Sequence, residues 1–131
     1  MTGPEPVRVE LATDLRAVGQ ARRAARDVLV AWRLSHLVDV VVLVTSELVT
    51  NALRYGRPPV SIALQRQAGQ VRLDVRDGDP AEPPAAPSVV AAHAESGRGI
   101  AIVHALADEV AVEQVEDDGK IVHVTFRADP A

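Results

Sequence analysis

Three short stretches of the 131-residue sequence bring together residue types that do chemistry: Glu47 with Asn51, Asp77 with Gly78, and Gly97-Arg98-Gly99. Glu47 and Asn51 stand four residues apart in ELVTNALRYG (Glu47 to Gly56), within a strongly apolar segment. At about 100° per residue, positions four apart stack on one face of a helix. Leu37, Val40, Val41, Val44, Leu48, Ala52 and Tyr55 trace an apolar stripe down that helix. Asn51 falls within the stripe and Glu47 at its edge, while Asp39, Thr50 and Arg54 point away. A carboxylate and a carboxamide turned toward a core are costly unless something pairs with them. A bound metal-nucleotide is one such partner. For Glu47 an arginine of a preceding helix, Arg22 or Arg26, is another.

The elements that must position these residues follow from periodicity. Val7 to Leu11 alternates apolar and polar residues, as a short edge strand does. Thr13 or Asp14 can cap a first helix, with Leu15, Val18, Arg22, Ala25, Val28, Leu29 and Trp32 at helical spacing. Ser35 can cap the second, Leu37 to Tyr55, which Gly56 and Pro58-Pro59 end. Val60, Ile62 and Leu64 share one face of a strand, as do Val71, Leu73 and Val75, with a turn in Gln67-Ala68-Gly69-Gln70. Asp77 continues the inward phase of the second of these strands, whereas Arg72, Asp74 and Arg76 point outward. Asp77 also suits an ordinary turn before Gly78.

From 78 to 98 the pattern is lost, and four of the nine prolines lie there. A loop of that length in a small domain is a lid, a binding loop or disorder. A helix is predicted over Gly99 to Ala107. Two strands then follow, Val110 to Val115 and Ile121 to Phe126, around Asp117-Asp118-Gly119, with Val122, Val124 and Phe126 inward. This order predicts one domain over residues 7–127 with loose ends at 1–6 and 128–131. Its class is α/β (α+β): a two-layer sandwich with helices on one face of a mixed sheet.

Composition narrows the function. Hydrophobic residues make up 47% of the chain, which excludes disorder throughout. Aromatics are 2% and the net charge is -4, which argues against direct nucleic-acid binding. With no cysteine, disulfides, thiol nucleophiles and zinc–cysteine sites are excluded. MTGPEPVRVE lacks a signal-peptide core, and the longest unbroken apolar run, Val40 to Val44, is far short of a membrane span. The expectation is a soluble cytoplasmic protein without membrane contact. His36 reads as a helix N-terminal residue, and His93, His104 and His123, without ligand spacing, as structural.

In order, the three stretches resemble the N box, the first glycine box and the second glycine box of the GHKL superfamily of ATPases, which includes histidine kinases and gyrase. The resemblance covers about residues 11 to 127. ELVTNALRYG, SGRGIAIVHALAD (Ser96 to Asp108) and GKIVHVTF (Gly119 to Phe126) look most like the small stand-alone bacterial anti-sigma factor serine/threonine kinases. The resemblance implies a Bergerat-type sandwich that binds ATP and Mg²⁺. Asn51 would give its amide oxygen to Mg²⁺, and Glu47 would deprotonate water or a serine or threonine hydroxyl. Asp77, followed by Gly78, would accept from the adenine amino group. Gly97 and Gly99 would let the backbone approach the phosphates at a helix N-terminus. Arg98 would touch the γ-phosphate or only cover the lid.

The implied partners are a sigma factor and an anti-anti-sigma antagonist phosphorylated on a serine or threonine, with a homodimer left open. Three places depart from the family, one of them Tyr55, which stands where His is frequent. The first glycine box, commonly Asp-x-Gly-x-Gly, reads Asp77-Gly78-Asp79-Pro80-Ala81. Lys120 follows Gly119 where a polar residue, often Thr, is common, and this bears on one adenine or water contact. A second reading therefore stands beside the kinase: a protein-binding module of the same fold that holds ATP statically or not at all. A third is the catalytic part of a split histidine kinase.

Overall fold

Alternation of apolar and polar residues builds the sheet, and a four-residue apolar repeat builds the helices over it. The computed structural model describes residues 5–80, 95–115 and 119–128, with the backbone alone for 95–100. Along the chain come β1 (Val7–Glu10), α1 (Arg16–Ala31), a 3-10 turn (Ser35–Leu37), α2 (Val38–Tyr55), β2 (Ser61–Gln67) and β3 (Gln70–Asp77). α3 (Glu95–Leu106), β4 (Glu109–Gln114) and β5 (Lys120–Arg127) complete it.

The strands form one sheet in the order β1-β2-β3-β5-β4. Ile62, Leu64, Val71, Leu73, Val75, Val122, Val124 and Phe126 are all buried on its inner face. Arg72, Asp74 and Arg76 alternate with them outward, as the period of two requires. The β2–β3 hairpin closes on Ala68-Gly69, where Gly69 takes a φ of 71°. The two-layer architecture is the expected one, but the pairings depart from a mixed sheet: all four are antiparallel. The crossover through α3 delivers β4 in the same direction as β3, and β5 folds back into the slot between them, so no parallel pair shares hydrogen bonds.

α1 buries Ala17, Ala21, Ala25 and Leu29. The expected stripe holds in part: Ala25 and Leu29 are fully buried and Val18, Val28 and Trp32 pack against the core, but Leu15 is 83% exposed and Arg22 lies outside. Alanine, too small to mark a core face in the sequence, allows α1 to approach α2 closely. Two hydrogen bonds start the helix, from the Arg16 amide and guanidinium to the Asp14 carboxylate, each at 2.9 Å. They hold the Asp14 carboxyl below the usual carboxylate range, the side-chain bond contributing most. Ser35 makes no capping bond; it opens the 3-10 turn instead.

α2 buries Val41, Val42, Val44, Thr45, Leu48, Val49 and Ala52. That face is wider than a single stripe because α2 packs against α1, α3 and β3 at once. Tyr55, expected in the stripe, is 45% exposed at the helix end. Ser35–Tyr55 is long and apolar enough to cross a membrane by length and composition (mean hydropathy 1.5), yet half of it is buried inside the protein. Residue 128, expected to be loose, is tied down: its amide donates to Gly69 O at 2.9 Å, and its carbonyl lies 2.7 Å from His36 Nε2. Residues 1–4 and 129–131 lie outside the described part, as does the Asp117-Asp118 portion of the last turn.

Candidate functional site

Two of the three motif stretches meet at the C-terminal end of α2, and α3, which carries the third, packs on the same helix. Glu47 and Asn51 are both half-buried on this helix. The Asn51 Nδ2 atom is buried without a hydrogen-bond partner. A buried amide in that state is costly, and it marks a place where a ligand can supply the missing group. The unpartnered atom is a donor, suited to a phosphate oxygen. A half-turn of the carboxamide replaces it with Oδ1, an oxygen of the hard type that Mg²⁺ takes. Glu47 makes no hydrogen bond or ion pair with the described residues, so the pairing with Arg22 or Arg26 does not form.

Asp77 ends β3 on the inner face and is 4% exposed. It is therefore no ordinary turn residue. A β-carbon at position 56 would fall 2.5 Å from the Asp77 Cγ, so the end of α2 lies directly against this carboxylate. Asp77 Oδ1 accepts the Asp79 amide at 2.7 Å. Lys120 Nζ stands 3.2 Å from Oδ1 and 3.1 Å from Oδ2. Gly78 is hemmed in by Pro58 O, which would sit 2.6 Å from a β-carbon there. The Asp77-Gly78 corner is thus closed by backbone on two sides and by a buried ammonium on a third.

Gly97, Arg98 and Gly99 lie within α3, which begins at Glu95. The helix starts four residues earlier than Gly99, so the box is helical and does not precede the helix. Its later turns anchor it: Val103 is fully buried, and α3 packs on α2 and β4. Each glycine lowers helix propensity by about 1 kcal/mol without stopping a helix held from elsewhere. The first four N–H groups of a helix have no intrahelical acceptor, so the box still offers backbone donors for an anion. The Arg98 side chain, and the expected lid over 81–94, fall outside the described residues.

Lys120, which the sequence marks only as a departure from the family, is the residue that pairs with Asp77. It lies in phase with Val122, Val124 and Phe126, so simple alternation places it on the inner face beside Asp77. His123, by contrast, keeps a structural place on the outer face, between Asp74 Oδ1 at 2.6 Å and Glu113 Oε1 at 2.8 Å.

Comparison with solved structures shows the same fold in three settings. The RsbU and RsbW domains of Rv1364c from Mycobacterium tuberculosis match with a TM-score of 0.68 and 20% identity, over 95% of this chain and 32% of that one. The histidine kinase domain of the blue-light activated kinase EL346 from Erythrobacter litoralis matches at 0.54 and 17%, over 86% and 60%. The Acinetobacter baumannii histidine kinase AdeS matches at 0.55 and 17%, over 94% and 68%. The chain thus spans about a third of the first of these proteins. No protein of curated function matches the sequence. The family model for the histidine kinase-like ATPase domain matches residues 11–126, from the end of β1 to the end of β5, taking in all three motif stretches. On that match, the chain belongs to the histidine kinase-like ATPase domain family of the GHKL superfamily.

Proposed function

We propose that this protein is an ATP-dependent regulator that uses Mg-ATP to phosphorylate a serine or threonine of a partner protein, in the manner of anti-sigma factor kinases. The observation that carries the proposal is the pair on α2: a buried Asn51 amide without a partner, and one turn before it a Glu47 carboxylate without an ion pair. Mg-ATP, when bound, supplies a transferable γ-phosphoryl group together with the cation that offsets its charge. Asn51 holds the metal side of the site. Asp77 would accept from the base, and the N–H groups at the start of α3 would donate to phosphate oxygens. Glu47 orients the incoming hydroxyl and takes its proton. The partners proposed are a sigma factor and its antagonist, and the setting proposed is the cytoplasm.

The test is transfer of labelled γ-phosphate to a serine of antagonist proteins of anti-sigma kinases. Glu47→Gln should lower transfer at least about 100-fold and leave nucleotide affinity within a few-fold. Asn51→Ala should abolish the Mg²⁺ dependence of binding. Transfer that survives Glu47→Gln at the unaltered rate would sink the assignment of the base. A second reading, a protein-binding module without phosphoryl transfer, is favoured by one observation: Lys120 already pairs with the Asp77 carboxylate. Nucleotide binding without transfer to any partner would select it.

A further inference from the structure

We propose that Lys120 reads the nucleobase. Together with Asp77 it forms a donor–acceptor couple for the adenine edge: the ammonium donates to ring nitrogen N1, and the carboxylate accepts from the 6-amino group. This rests on the ATP-binding reading above and adds to it a residue and a contact.

The two side chains face each other across β3 and β5, paired in register at the end of both strands. Their side chains are 6% and 5% exposed. A buried ion pair loses hydration on both partners, and an apolar pair of similar size serves a core as well or better. Its presence on an inner face otherwise built of Val, Ile, Leu and Phe calls for a use beyond the fold.

Counting donors shows what the pair has left. An ammonium carries three N–H groups. One goes to Asp77 Oδ1 at 3.2 Å, with Oδ2 in ion-pair contact at 3.1 Å. A second goes to Asp79 O at 3.1 Å. The third has no acceptor among the described residues. On the carboxylate, Oδ1 takes both Lys120 and the Asp79 amide, whereas Oδ2 makes only the ion-pair contact with Lys120. The couple therefore keeps one free donor beside one free acceptor, the pattern that complements an adenine edge of one acceptor, N1, and one donor, the amino group. Positions 56, 78 and 119 bring backbone against this corner with no room for a side chain. A hydroxyl at position 120 could donate or accept, but an ammonium can only donate. Lys120 therefore requires an acceptor at ring position 1.

The experiment compares ADP with 1-deaza-ADP, in which a C–H replaces N1, by calorimetric titration of the unaltered protein. A charged donor left facing C–H should weaken binding about 10- to 100-fold. In Lys120→Met, ADP itself should bind more weakly, and the difference between the two nucleotides should disappear. Equal affinity of both nucleotides for the unaltered protein overturns the proposal, and so does a 1-deaza penalty that persists in Lys120→Met. Should Lys120→Met fail to fold with Asp77 left unpaired, the two nucleotides on the unaltered protein still decide it. Binding of neither nucleotide defeats the ATP-binding reading itself, whereas tight and equal binding of both defeats only the role of Lys120.

Discussion

At the scale of single residues, the site depends on side chains that are not there. Gly56 has φ -96° and ψ -162°, an extended conformation open to any residue, so its requirement is space and not backbone freedom. A β-carbon at 56 would lie 2.5 Å from the Asp77 Cγ, 2.7 Å from Oδ2 and 2.8 Å from Ala52 O. Two of these neighbours belong to a carboxylate already pinned by Lys120 and the Asp79 amide, and the third is helix backbone, so none yields easily. Gly56→Ala should cost about 1–3 kcal/mol of stability, as overpacking does, and should weaken ADP binding by displacing Asp77. Gly19 is the control. It is exposed on α1 with nothing within 4 Å, so Gly19→Ala should add about 0.5–1 kcal/mol in urea denaturation and leave ADP affinity unchanged. Matching effects at the two positions would remove the argument from close approach. Position 77 was legible in the sequence because alternation carried its phase inward. Lys120 obeys the same alternation, but a lysine at a strand end normally reaches for water, and here the Asp77 carboxylate and the Asp79 carbonyl keep it inside.

At the scale of elements, legibility followed the clarity of each period. A strand has two faces, so Val71, Leu73 and Val75 fixed the inner side of β3 without ambiguity, and β2 and β5 likewise. A helix has many possible stripes, and the large side chains of α1 mark one that overlaps the buried line at Ala25 and Leu29 but passes over Ala17 and Ala21. Its buried line is Ala17, Ala21, Ala25 and Leu29, all fully buried against α2. Small residues there set the spacing between the helices and, through it, the position of Glu47 and Asn51 on the far partner. Ala21→Leu adds bulk where there is none to spare, and should cost about 1–3 kcal/mol in chemical denaturation. Leu15→Ser, at an 83% exposed position, should change stability by less than about 0.5 kcal/mol. A stable Ala21→Leu protein would mean that α1 is not packed closely on α2. The start of α3 was misplaced for a different reason. Gly97 and Gly99 signal a break by local propensity, but the packing of α3 on α2 and β4 outweighs it and extends the helix back to Glu95.

At the scale of the whole molecule, β3, α2 and α3 are far apart in sequence and meet only in the folded chain. Gly56 touches Asp77, and α3 lies against α2. A ligand that contacts all three binds the native state and not the unfolded one, so it must raise stability by mass action. At 100 times its dissociation constant, Mg-ATP should add about 2.7 kcal/mol. For a chain of 131 residues that corresponds to a rise of roughly 10 °C in melting temperature. If the metal is held through position 51, as proposed, the rise should need Mg²⁺ in the unaltered protein and lose that need in Asn51→Ala. Asp77→Asn is the more exacting variant. It keeps the size of the side chain but removes the counterion of Lys120, and it replaces one of the two acceptor oxygens with a donor. It should melt lower without nucleotide and gain little from ATP. A nucleotide-induced rise as large in Asp77→Asn as in the unaltered protein would place the base elsewhere. No rise in the unaltered protein would leave the fold without its ligand, and a protein-binding role would then be the better account of the architecture.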